Sequence, residues 1–117
     1  MSLPTEKQYE WHTILHKLED MVGKKPADLN AVLFLIGVQE LGQGVKNFSK
    51  EEKQDLMHIA LCKLFSYSGH YVLSHVDEDG WPHYDLVNAI PHGGLQEQAT
   101  YIKEHIIYYF KDHKLID

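Results

Sequence analysis

The apolar positions of the chain form one continuous run and three periodic patterns. The longest run covers residues 31–38, and a segment this apolar must be buried on nearly every side. Asp28 precedes the run at a suitable N-cap position, and Gly42 follows it where a left-handed cap is common. These flanks predict a buried helix over about residues 29–41, which is too short to span a membrane.

The other three patterns have the helical spacing of amphipathic helices. They cover about residues 5–22, 50–67 and 95–113, and Ser49 with Glu52 forms a capping box before the second of them. Four main helices with short connections predict an all-α fold, a compact helical bundle in which residues 1–117 form a single domain.

The segment between residues 70 and 90 allows two interpretations. Tyr71–Val76 and His83–Val87 could pair as a β-hairpin around a turn at Asp79-Gly80. Pro82 would remove an amide donor just after that turn, and neither arm alternates cleanly between apolar and polar residues. The sequence therefore favours one or two short helical turns, at His70–Val76 and Asp85–Ala89, over a hairpin across residues 71–87.

Charge and composition narrow the classes of function. All 11 basic residues are lysines and the formal net charge is −6, which argues against nucleic-acid binding. No segment has the length and apolar character of a membrane span or a signal peptide, so we expect a cytoplasmic protein that does not bind membranes. Cys62 is the only cysteine, which excludes an intrachain disulfide and a zinc site built from cysteines.

Candidate chemistry is concentrated in residues 77–85, which read Asp-Glu-Asp-Gly-Trp-Pro-His-Tyr-Asp. The segment is not a calcium loop, because placing Gly80 sixth would put His75 first and Leu86 twelfth, where carboxylates are needed. A transition-metal site and general acid-base catalysis both stay open. The first would use Asp77, Asp79, His83 and Asp85, and the second would use His83 with Asp85.

We favour a purely structural role for residues 77–85 over a metal site or acid-base catalysis. Acidic residues are common in turns, Trp81 can pack beneath the loop, and Pro82 can stiffen it. A further metal alternative, His12, His16 and Glu19 on one side of the first helix, has no fourth ligand nearby. We therefore predict no metal and no cofactor.

The last helix suggests a partner surface. Tyr101, Ile107 and Tyr108 fall outside its core stripe, which predicts exposed apolar side chains on a second face. The favoured function is a small interaction or scaffold protein without catalytic activity that forms a homodimer or binds a protein partner. The alternative is a small-ligand or metal-binding protein, or an enzyme, that uses residues 77–85 with the nearby histidines His70, His75, His83 and His92. The candidate binding residues are Trp81, His83, Tyr84, Asp85 and Tyr108.

Overall fold

The computed structural model describes residues 5–44, 46–91 and 94–116 of the chain. Within them four helices and two strands follow one another along the sequence: α1 (Thr5–Val22), α2 (Leu29–Leu41), α3 (Lys50–Ser66), β1 (Tyr71–Val76), β2 (Pro82–Leu86) and α4 (Leu95–Asp112). None of the described helices combines the length and the hydropathy needed to cross a bilayer.

The prediction of an all-α fold is wrong, because residues 71–86 form an antiparallel β-hairpin instead of short helical turns. Neither the helix predicted at His70–Val76 nor the helical turn predicted at Asp85–Ala89 is present. Pro82 is compatible with the hairpin because it is the first residue of an edge strand, where a missing amide donor is tolerated. The apolar and polar residues of the first strand do not alternate cleanly because a bulge at Ser74, between Leu73 and His75, shifts the register of the strands.

The predicted helix positions are confirmed to within a residue at each end. Asp28 caps α2 by accepting a hydrogen bond of 2.9 Å from the backbone N–H of Ala31, and Gly42 closes the helix in the left-handed conformation. Ser49 and Glu52 form the reciprocal capping box at the start of α3. Each of these signals is local, which is why the sequence alone places the helices well.

The chain divides into two compact units. The first contains α1 and α4, and the second, residues 28–90, contains α2, α3 and the hairpin. In the first unit α1 and α4 contact each other, with ion pairs between Lys7 and Glu104 and between Lys111 and Glu10. The prediction of one domain over residues 1–117 stays a prediction.

In the second unit α2 and α3 approach each other very closely. A Cβ atom placed on Gly37 of α2 would lie 2.1 Å from the backbone oxygen of Leu56 in α3, so only glycine fits there. The core beside this crossing contains Leu41, Phe48 and Leu56, all buried. The hairpin packs on α3 through both of its strands.

The buried side of helix α4 is wider than the single apolar stripe predicted from the sequence. Ile107, predicted on an exposed second face, is 4% exposed, and only Tyr108 among its neighbours is open to solvent. Tyr101 is half-buried. The prediction of an exposed apolar face on α4 is therefore wrong for Ile107, because residues 105–107, 109 and 110 are all buried.

Candidate functional site

Asp77 organises the turn that joins the two strands. Its Oδ1 atom accepts hydrogen bonds from the backbone N–H groups of Asp79 (2.9 Å) and Trp81 (3.0 Å). Its Oδ2 atom lies 2.8 Å from Nε2 of His83, which donates to it. Gly80 completes the turn with a φ angle of +87°, a conformation that other residues rarely adopt. The carboxylate of Asp77 thus holds both ends of the turn together.

These hydrogen bonds lower the pKa of Asp77 below its usual value. The bond from His83 is the largest cause, and the backbone N–H groups of Trp81 and Asp79 add to it. The sequence analysis offered a pair of His83 with Asp85 for acid-base chemistry. In the structure His83 instead bonds Asp77, and its other neighbour is the ring of His75, stacked on it at 4.6 Å with an interplanar angle of 6°.

Trp81 ties this turn to the core of the second unit. Its half-buried ring packs against the cluster formed by Leu41, Phe48 and Leu56. The loop after α2 also reaches the turn, because Nε2 of Gln43 donates to the backbone oxygen of Asp79 at 2.7 Å. This arrangement agrees with the structural interpretation of the turn, in which Trp81 anchors an otherwise polar loop.

An open cleft of about 390 Å³ lies between the turn and helix α3. The size falls in the range of small-ligand sites. Trp81, Pro82 and His83 line one side of it. The opposite side is formed by side chains that the sequence analysis missed: Glu52, Asp55, His58 and Ile59. Glu52, Asp55 and His58 follow one another at intervals of three residues and Ile59 lies four after Asp55, so all four lie on one face of α3. The sequence contains this signal, but only the packing of the hairpin on α3 makes it meaningful.

Tyr84 and Asp85 lie side by side on β2 but point in opposite directions, because successive strand residues alternate. Tyr84 is half-buried, and burial raises the pKa of its hydroxyl, with smaller contributions from Glu40 and Cys62. Asp85 is exposed, and its carboxylate has no hydrogen bond or ion pair within the described chain. The site residue Tyr108 is 55% exposed and belongs to the other unit.

Cys62 is a nucleophile with a base within reach. Its Sγ atom lies 3.4 Å from Nε2 of His58, but the residue is only 1% exposed. Burial raises the pKa of the thiol to about 11, so the thiolate is scarce at neutral pH. This environment is typical of a small core side chain and unsuited to a reactive thiol.

Neither of the two metal sites suggested by the sequence has a complete set of ligands among the described residues. In the part of the chain that the structure describes, no group of three His, Cys, Asp or Glu side chains is arranged to hold a metal ion. This applies to Asp77, Asp79, His83 and Asp85 and equally to His12, His16 and Glu19. His92 lies outside the described residues.

A second groove, of about 530 Å³, lies in the first unit between α1 and residues 115–116. It contains none of the predicted binding residues. No protein-family model, curated protein or solved structure matches the chain.

Proposed function

We propose that the chain is a non-catalytic interaction protein whose contact surface is the β-hairpin and which associates with itself. The observation that carries this proposal is the exposure of aliphatic side chains on the hairpin. The hairpin aliphatic surface consists of residues that are each 49–57% exposed: Val72, Leu73, Val76, Leu86 and Val87.

Single exposed apolar residues are ordinary, but this surface concentrates five of them within 16 consecutive residues. They border a sheet of only two strands, each of which has one unpaired edge within the described chain. The packing of the hairpin on α3 leaves these five side chains about half exposed, so a partner that covers them would bury additional apolar surface. The surface differs from the one expected from the sequence on α4, where Ile107 is buried.

Two further features support a role without catalysis. The Asp77 carboxylate is occupied by the hydrogen bonds that shape the turn, so it is poorly placed to serve a substrate. Cys62 is buried and its raised pKa suppresses the thiolate. Both groups behave as structural parts of the second unit.

Light scattering over a wide concentration range tests the proposal. The mass should rise from that of a 13.6 kDa monomer towards twice that value. Leu86→Lys should prevent the increase, because it places a charge in the hairpin aliphatic surface at little cost to folding. Tyr9→Lys, at a position 76% exposed on α1, is the matched control and should associate like the wild type. A monomer mass at every concentration would refute self-association.

Tyr108→Glu completes the set, because Tyr108 is the exposed residue of the predicted surface on α4. If this substitution dissociates the dimer and Leu86→Lys does not, the contact surface is α4 and the assignment to the hairpin is wrong.

A second candidate function is small-ligand binding in the cleft beside Trp81, favoured by the cleft's volume and aromatic wall. In a Trp11→Phe variant, Trp81 is the only tryptophan and its fluorescence reports directly on the cleft. A screen of small organic cations, the class that four lining carboxylates would attract, should change this emission if the cleft is a binding site. Unchanged emission across the screen would count against this candidate.

A further inference from the structure

The backbone of β2 alternates between groups that face β1 and groups that face away from it. The backbone oxygen of Trp81 accepts from Asp77 at 2.9 Å, and the N–H of Val87 donates to His70 at 2.8 Å, so both residues face the first strand. Because strand residues alternate, positions 83 and 85 face β1 as well. Pro82, Tyr84 and Leu86 therefore direct their backbone groups to the open edge.

The two open edges of the hairpin are not equivalent. The edge of β1 is interrupted by the bulge at Ser74, which disturbs the spacing of its outward groups. The edge of β2 is regular over its five residues. It lacks one donor because Pro82 has no N–H, but Tyr84 keeps a donor and an acceptor, and so does Leu86.

We infer that two copies of the chain pair edge to edge through β2, antiparallel and with Tyr84 opposite Tyr84 of the second copy. This inference rests on the proposed function and names the mode of association. The two outward groups of Tyr84 would bond their counterparts, and the N–H of each Leu86 would donate to the oxygen of the opposite Pro82. Two hairpins would thus form one four-stranded sheet around a two-fold axis.

Charge complementarity selects this register. With Tyr84 on the axis, His83 of each copy lies opposite Asp85 of the other, in the closely spaced, non-hydrogen-bonded type of pair. The carboxylate of Asp85 has no partner within the described chain, and Nδ1 of His83 is the nitrogen not bonded to Asp77. Because Nε2–H of His83 donates to Asp77, Nδ1 can donate to Asp85 of the other copy only in the imidazolium form. In that form each two-fold contact would contain two imidazolium–carboxylate pairs, and no like charges would lie opposite each other.

The hairpin aliphatic surface would be covered only in part by this pairing. Leu86 lies on the paired edge strand, whereas Val72 and Leu73 lie in β1, which becomes an outer strand of the four-stranded sheet. Each copy carries a net charge of −6, so long-range repulsion opposes association and the dimer should be weak.

Hydrogen exchange at different protein concentrations tests the inference on the unmodified chain. In the monomer the amides of Tyr84 and Leu86 face an open edge and should exchange rapidly. Their protection should increase as the dimer forms. The amide of Val87 is an internal control, because its bond to His70 is present in the monomer and should make its protection independent of concentration.

Substitution of Asp85 provides an independent measurement. Asp85→Lys removes the carboxylate that would face His83 of the other copy and should weaken association about tenfold through the loss of the two pairs. Asp79→Lys makes the same charge change in the turn, outside the strand, and should alter association much less. Circular dichroism should show that both variants are folded.

The outcomes separate this inference from the proposed function. A dimer with protected amides at residues 84 and 86 that Asp85→Lys weakens supports edge pairing. A dimer without that protection, or with equal sensitivity to Asp85→Lys and Asp79→Lys, overturns edge pairing and leaves self-association standing. A chain that is monomeric at every concentration overturns both.

Discussion

Substitution of Gly37 by alanine tests how closely α2 and α3 approach each other. The new Cβ atom would lie 2.1 Å from the backbone oxygen of Leu56 and 2.6 Å from its carbonyl carbon. Ordinary contacts of this kind begin near 3.4 Å. The two helices would have to separate, because the obstructing atoms belong to the backbone and cannot rotate away.

Two opposing effects determine the change in the free energy of unfolding. Alanine is preferred over glycine within a helix by roughly 1 kcal/mol, which would stabilise the variant. Overpacking costs about 1–3 kcal/mol, and we expect the upper end because the displaced atoms are backbone and Leu56 is fully buried. The packing cost should exceed the helical gain, which leaves a net loss of about 2 kcal/mol.

Urea unfolding followed by circular dichroism measures this loss. With a typical slope for a small protein, a loss of about 2 kcal/mol lowers the midpoint by roughly 1 M. Asn30→Ala is a matched control, because residue 30 is exposed on the same helix and the substitution creates no contact. The control should be as stable as the wild type or slightly more stable. A Gly37→Ala variant that matched or exceeded the wild type would show that the helices do not cross this closely.

Three further predictions concern the hairpin turn and the buried thiol. Trp81→Ala should lower the free energy of unfolding by about 2 kcal/mol, less than for a fully buried tryptophan because the ring is half-buried. Urea unfolding measures this change, and unchanged stability would show that Trp81 is not an anchor. The lowered pKa of Asp77 means that its stabilising effect is present above the unfolded value, about 4, and is lost as the pH falls through the folded value. Thermal unfolding of the wild type should therefore be more sensitive to acid than that of Asp77→Asn, which keeps an oxygen acceptor for the turn amides but does not titrate; parallel pH profiles would contradict this. The Cys62 thiol, with its pKa raised to about 11, should react with a thiol reagent at neutral pH only after denaturant unfolds the chain, and rapid reaction of the native protein would show that it is accessible.

The sequence predicted those elements whose signals are local. The helix ends follow from Asp28, Ser49 and Gly42, each of which acts on backbone groups a few residues away. The hairpin could not be predicted in the same way. Its bulge at Ser74 breaks the alternation that identifies a strand, and Pro82 resembles a strand breaker until its place at an open edge is known.

The candidate site was predictable in part for a similar reason. Trp81 and His83 stand out because unusual side chains crowd one turn, and the structure places both beside the cleft. The contribution of α3 depends on which face the hairpin covers, which is a property of tertiary packing. The bond from His83 to Asp77, six residues away, likewise requires the turn to be closed, so spacing alone pointed to Asp85 instead.

The division into units has a consequence for the order in which the protein folds during synthesis. Residues 28–90 form one uninterrupted unit, so all of its helix and strand contacts can form before α4 has left the ribosome. The α1 helix forms its ion pairs later, because their partners Glu104 and Lys111 are translated after residues 28–90. Until then the Ile14 and Leu18 side chains of α1, buried in the finished protein, are exposed on a nascent chain. A chaperone would therefore be expected to engage the N-terminal segment of this chain before it engages the hairpin.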